Sequence, residues 1–146
     1  MSPLIVIKLG GSAITDKSRI CLPRLDVIHR AAGEIAASSR NSILLHGGGS
    51  FAHPFATAKL MSSGFNRKGE LERVSEIEMN LDQLTRIVGV ALLLRDRPFV
   101  PIHPMSLMTF RNGEPKEFFL RPIALALSLG MLPLIHGDLV LDEKLG

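Results

Sequence analysis

The chain has 146 residues, 46% apolar and 21% charged, and its 17 Lys and Arg against 14 Asp and Glu leave a net charge of +3. One globular domain with a sizeable core is expected, and a disordered or fibrous chain is excluded. The positive charge is scattered, with no block of Lys or Arg to track a phosphate backbone, so nucleic acid is not an expected partner.

Leu4 to Leu9 is a short β-branched run stopped by Gly10-Gly11, the pattern of a strand buried on both faces. After a polar loop, Ser12 to Arg19, Pro23 suits a first helical turn. Leu25, Ile28, Ala32, Ile35 and Ala36 then recur at helical spacing. The lone cysteine, Cys21, cannot form an internal disulfide or a CxxC site, and its plain reading is a small buried hydrophobe. Ser42 to His46 is a second strand, and it runs into Gly47-Gly48-Gly49.

Pro54 to about Ser62 has the look of a short helix, and Gly64 to Gly69 that of an exposed, mobile loop. From Glu70 to Arg95 a 3.6-residue apolar period through Val74, Ile77, Leu81, Leu84 and Val88 predicts one long amphipathic helix. Phe99 to Ile102 is a third strand. Met105 to Arg111 and Glu117 to Leu120 flank Asn112-Gly113, a hairpin-turn dipeptide. Pro122 to Leu129 reads as a helix closed by Gly130, and Leu132 to His136 as a fourth strand ending at Gly137-Asp138, with a further hairpin starting near the end of the chain.

Strands alternating with helices imply an α/β fold with a mostly parallel central sheet flanked by helices on both faces. Ligands of such sheets bind beyond the C-terminal strand ends, where Gly10 to Lys17, Gly47 to His53 and Gly137-Asp138 all fall. The longest apolar stretch, Ile123 to Ile135, is too short and too interrupted to cross a bilayer, and the N-terminus lacks signal-peptide features. The cytoplasm is the expected location, with no membrane partner.

Glycines let backbone amides approach a phosphate, and Lys8 and Lys17 offer compact positive charges beside them. The first loop is not a Walker A loop, because Asp16 stands where that motif has Gly before Lys-Ser. The second loop satisfies a loose GxGxxA pattern. Its acidic partner would be Glu70, which follows a polar loop and not a second strand, so a dinucleotide site is not expected. No GxSxG elbow surrounds Ser50. His46 and His53, His103, and His136-Gly-Asp138 all lack the i, i+4 spacing of a recognised metal site, so no protein-held metal is expected.

KLGGSAITDK, HGGGSFAHP and LIHGDLVLDEKLG, in that order, resemble the amino acid kinase superfamily, most closely its isopentenyl phosphate kinases. The resemblance spans the chain and rests on the Lys-x-Gly-Gly-Ser strand end, a second Lys nine residues later, and the triple-glycine loop followed by Ser-Phe-x-His. It implies ATP-dependent phosphorylation of isopentenyl phosphate, or a close alkyl monophosphate, with Mg²⁺ bridging the ATP phosphates. Lys8, Lys17 and His53 would be the catalytic set. Lys8, Leu9, Gly10, Gly11, Ser12 and Gly49 would line ATP, while Gly48, His53, Gly137 and Asp138 would hold the acceptor. Val74, Ile77 and Leu81 would wall the acceptor's hydrocarbon tail or belong to the core.

Another acceptor within the superfamily, such as fosfomycin or a nucleoside monophosphate, is the alternative, as is a non-catalytic phosphate-binding module. Two departures stand out. Ala52 occupies a position where these kinases have Gly, and the chain stops at Gly146, before the family's C-terminal nucleotide-binding lobe. Residues 1–146 are therefore expected to form a single acceptor-binding N-terminal lobe, a fragment or one partner of a homodimer or complementing lobe.

Overall fold

A computed structural model describes residues 3–38, 41–56, 64 and 68–146. In order, these form β1 (Ile5–Leu9), α1 (Gly11–Ile14), β2 (Thr15–Asp16), β3 (Leu22–Pro23), α2 (Leu25–Ala37), β4 (Ser42–His46) and a 3-10 turn, Gly49–Phe51. There follow α3 (Lys68–Leu93), β5 (Phe99–Ile102), a 3-10 turn at Pro104–Ser106, β6 (Met108–Arg111), β7 (Glu114–Phe118), α4 (Arg121–Ser128), β8 (Leu132–His136) and β9 (Leu141–Asp142). The central sheet is parallel throughout, in the order β1-β4-β8-β5. Its strands therefore end along one edge, with Leu9 paired to His46 and His46 to His136.

The 3.6-residue period of the two long helices becomes one apolar layer. Ile28, Ala32 and Ile35 of α2 and Leu84, Val88, Ala91 and Leu92 of α3 bury themselves against Leu44, Leu132 and Leu134 of the sheet, with Ile7 and Leu9 at its margin. Full burial of each Leu or Ile side chain contributes roughly 1.5–3 kcal/mol, which makes this layer the main source of stability. Helix α4 packs against β8 and β5 outside that cluster. Among the described residues no helix is long and apolar enough to cross a membrane.

β1 corrects the expectation of burial on both faces. It is the sheet's edge strand, and its residues alternate: Ile5, Ile7 and Leu9 are half-buried, whereas Val6 is 59% exposed and Lys8 projects with it into solvent. Pro23 is not in a helical turn either. It pairs with Thr15 across the small antiparallel β2-β3 ribbon, and α2 starts two residues later. The expected polar loop is thus a helical turn, a ribbon strand and then the turn that carries Lys17.

The long helix starts at Lys68, so the last two residues of the expected loop are helical. The rest of that loop apart from Gly64, and residues 57–62 of the expected short helix, lie outside the described residues. The Asn112-Gly113 hairpin forms with φ values of 54° and 80°, joining a β6 that starts three residues later than expected to a β7 that lies closer to the turn, Glu114–Phe118, than the expected Glu117 to Leu120. Gly130 follows α4 with φ 75°, donating its amide to Leu127 O. The expected hairpin start near the end of the chain forms: β9 adds to β6 in parallel, and beyond it the Asp142 amide donates to Gly146 O at 3.0 Å while the Gly146 amide donates to Asp142 O at 2.9 Å. The Asp142 carboxylate accepts the amides of Asn112, Gly113, Lys144 and Leu145, joining the hairpin turn to the turn after β9. Desolvation pushes that carboxyl up, but the four amides outweigh it and hold the pKa down to about 2.

Candidate active site

The first two glycine loops meet backbone to backbone at the C-terminal edge of the sheet. Gly47 donates its amide to Leu9 O at 3.0 Å, and Gly137 donates to His46 O at 2.8 Å. A Cβ on Gly11 would lie 2.3 Å from the Gly49 nitrogen, so only glycine allows these main chains to approach so closely. Gly49 itself has φ +52°, and a Cβ there would lie 2.1 Å from Thr15 Oγ1.

Thr15 and Ser50 fasten this contact. The Thr15 hydroxyl, fully buried, donates to Gly11 O at 2.7 Å and accepts the Ser50 amide at 3.0 Å. Ser50 Oγ in turn accepts the Leu22 amide, and Ser50 O accepts that of Cys21. Ser50 is 3% exposed and Phe51 is buried in the core, so both residues of the Ser-Phe pair are structural. Their burial anchors the short turn that delivers His53. Ala52 directs its methyl into a second apolar cluster with Val74, Ile77 and Leu81, in a backbone conformation open to any residue.

Lys17, Gly49, Ser50, His53 and Pro54 line an open cleft of about 340 Å³. Lys17 sits in the β2-β3 turn, where Asp16 Oδ1 accepts the Ser18 amide at 2.8 Å, a bond that holds the Asp16 pKa below the usual carboxylate range. The side chains of Lys17 and His53 are exposed, and neither has an ion pair or hydrogen bond among the described residues. Two nitrogen-bearing groups that line one cleft and have no partner among the described residues suit an anionic ligand. Lys8, Gly10, Gly11 and Ser12 lie at the adjoining sheet edge and not in this cleft wall. Leu9 spends its side chain on the core and its carbonyl on Gly47, and Gly48 stands against Ala52.

Gly137 and Asp138 lie one strand further along, beside a group of residues that sequence spacing did not connect. Asp138 Oδ2 accepts the Met105 amide at 3.0 Å, while His136 Nε2 is 3.3 Å from His103 Nδ1. Glu78, a mid-helix residue of α3, brings a carboxylate oxygen within 4.8 Å of both imidazoles. Burial, the adjoining Asp138 carboxyl and the Asp82 charge all push the Glu78 pKa well above the carboxylate range. His46 is separate: buried, with Nε2 2.9 Å from the Thr85 hydroxyl, and lowered by that burial to a pKa of about 4. Cys21 is half-buried, and desolvation raises its thiol pKa.

Residues 3–146 match the amino acid kinase family. The chain is 33% identical to the isopentenyl phosphate kinase of Methanothermobacter thermautotrophicus, over 96% of this chain and 55% of that protein. It is also 33% identical to the isopentenyl phosphate kinase of Methanocaldococcus jannaschii, over 98% of this chain and 58% of that one. The chain therefore spans little more than half the length of these curated relatives. A solved isopentenyl phosphate kinase superposes with a TM-score of 0.87 at 30% identity, covering 98% of this chain and 61% of the other. Aspartate kinase from Synechocystis shares the fold at 15% identity, with a TM-score of 0.62 over 98% of this chain and 23% of its own.

Proposed function

The chain belongs to the amino acid kinase family, and on that premise we propose that it binds isopentenyl phosphate or a close alkyl monophosphate for ATP-dependent conversion to the diphosphate. In this reading residues 1–146 supply the acceptor-holding lobe. The observation that carries it is the shared cleft of Lys17 and His53, both without partners among the described residues, above a glycine contact that fixes the loops.

The acceptor's phosphate lies against His53 and the Gly48 backbone, with Gly137 and Asp138 bordering its pocket. An oxygen of that phosphate attacks the γ-phosphorus of ATP, the bond to the β-phosphate oxygen breaks, and ADP leaves. No covalent enzyme intermediate is needed, because positioning and charge neutralisation supply most of the catalysis. Lys17 and Lys8 offset charge on the phosphoryl group in transit, and Gly10, Gly11, Ser12 and Gly49 present backbone to the nucleotide, which enters as its Mg²⁺ complex. Leu9 contributes through the backbone position it fixes. The reaction belongs in the cytoplasm, with a second copy or a complementing lobe beside the chain. The solvent-facing Leu4, just before β1, and Val6 within it support such a cover.

Calorimetric titration of this chain with isopentenyl phosphate, fosfomycin and a nucleoside monophosphate tests the acceptor. Saturable binding that favours isopentenyl phosphate is expected. His53→Ala should weaken it about 10- to 150-fold by removing one hydrogen bond to an anionic phosphate, leaving the melting temperature unchanged. Equal binding by the folded variant, or preference for another acceptor, overturns the assignment.

A further inference from the structure

We propose that Glu78, His103 and His136 form a binding site for a divalent transition metal of the zinc class, outside the cleft lined by Lys17 and His53 and next to the Asp138 that borders the proposed acceptor pocket. One ligand atom from each lies within 4.8 Å of the other two. They come from three elements: Glu78 from α3, His103 from just after β5, and His136 from the end of β8. The 3.3 Å between His103 Nδ1 and His136 Nε2 is long for a hydrogen bond. It matches the edge of a tetrahedron with metal–nitrogen bonds of about 2.0–2.1 Å. Two imidazoles and one carboxylate leaving a fourth position open is an established zinc donor set.

The surroundings supply what such a site requires. His136 Nδ1 faces Gly137 O at 3.4 Å, the partner that an Nδ1–H tautomer would have, and that tautomer turns the Nε2 lone pair towards His103. Glu78 Oε1 and Asp138 Oδ1 are buried with no donor from a third group among the described residues, and the two adjoining carboxyls share a side-chain hydrogen bond. A cation there takes the place of the shared proton and offsets the repulsion between two neighbouring carboxylates. Access is open on one side. The His103 side chain is 39% exposed and lines a cleft of about 280 Å³ with Asp82, Thr85, Arg86, Phe99 and Pro101. Asp82 Oδ1, 3.4 Å from His103 Nδ1, adds negative charge at that mouth. A bound ion would tie the middle of α3 to the ends of β5 and β8.

The test is titration of the metal-free, tag-free chain with Co²⁺, followed through visible d–d absorption, and then displacement by Zn²⁺. One equivalent with the strong bands of a low-coordinate centre is expected. Second-sphere changes at zinc sites cost about 10–100-fold in affinity, so His103→Ala and Glu78→Gln, which remove donors, should each weaken binding by about 100-fold or more. Both positions are partly exposed, and circular dichroism reports whether each variant folds. His29→Ala, on α2, should bind as the parent does. No one-equivalent cobalt spectrum, or equal affinity in folded His103→Ala, overturns the proposal and leaves His103 and His136 as a hydrogen-bonded pair.

Discussion

Alanine at Gly11 and at Gly10 should have opposite consequences, although the two glycines are adjacent in one loop. A methyl on Gly11 would lie 2.3 Å from the Gly49 nitrogen, 2.7 Å from its Cα and 3.1 Å from the Gly47 carbonyl carbon. Comfortable contact needs roughly 3.5 Å, so the two loops must part by about 1 Å. Every one of those neighbours is main chain, and no side-chain rotation relieves the overlap. Overpacking of this kind costs about 1–3 kcal/mol, and stretching the Gly47–Leu9 and Thr15–Gly11 hydrogen bonds adds about 1 kcal/mol. Gly11→Ala should therefore lose about 2–4 kcal/mol, or about 5–15 °C in Tm. Within the proposed reaction a displacement of about 1 Å would lower phosphoryl transfer on the order of 100-fold. A methyl on Gly10 meets nothing within 4 Å, and its φ of −63° and ψ of 135° suit alanine. There, the poorer helix cap offsets the reduced freedom of the unfolded chain, for a net change under about 1 kcal/mol. Urea denaturation followed by circular dichroism measures both. A Gly11→Ala variant as stable as the parent, or a Gly10→Ala variant equally damaged, would refute the close-approach argument.

His46 should stay neutral in the folded chain down to about pH 4, whereas unfolded histidine takes up its proton near pH 6.5. Its contribution is therefore complete above the unfolded value and is lost as pH falls from about 6.5 towards 4, reaching about 3 kcal/mol. NMR titration of the His46 ring checks this, and a midpoint near 6.5 in folded protein counts against it. Asp142→Ala should leave the amides of Asn112, Gly113, Lys144 and Leu145 without their acceptor, and faster hydrogen exchange at those four positions is the expected outcome. Protection unchanged from the parent would show that other contacts hold the two turns.

The parallel sheet, the long helix, the Asn112-Gly113 turn and the convergence of glycine loops were all legible from periodicity and punctuation, because these are properties of neighbours along the chain. The motif order that resembles the kinase family put Lys17 and His53 beside the glycine loops, and the two line one cleft with Gly49. Burial on the two faces of β1 was not legible. The same apolar run suits a central or an edge strand, and only strand order left Val6 in solvent. Nor could spacing show that Ser50 would be consumed by Thr15, Leu22 and Cys21, since those bonds join loops brought together by the ribbon. Glu78, His103 and His136 are the clearest case. A helix position and two strand ends, up to 58 residues apart in the sequence, share no local pattern. The packing of α3 against the C-terminal ends of β5 and β8 alone brings their donor atoms together, because the register of a parallel sheet and the rotation of a helix on it are set by the whole core.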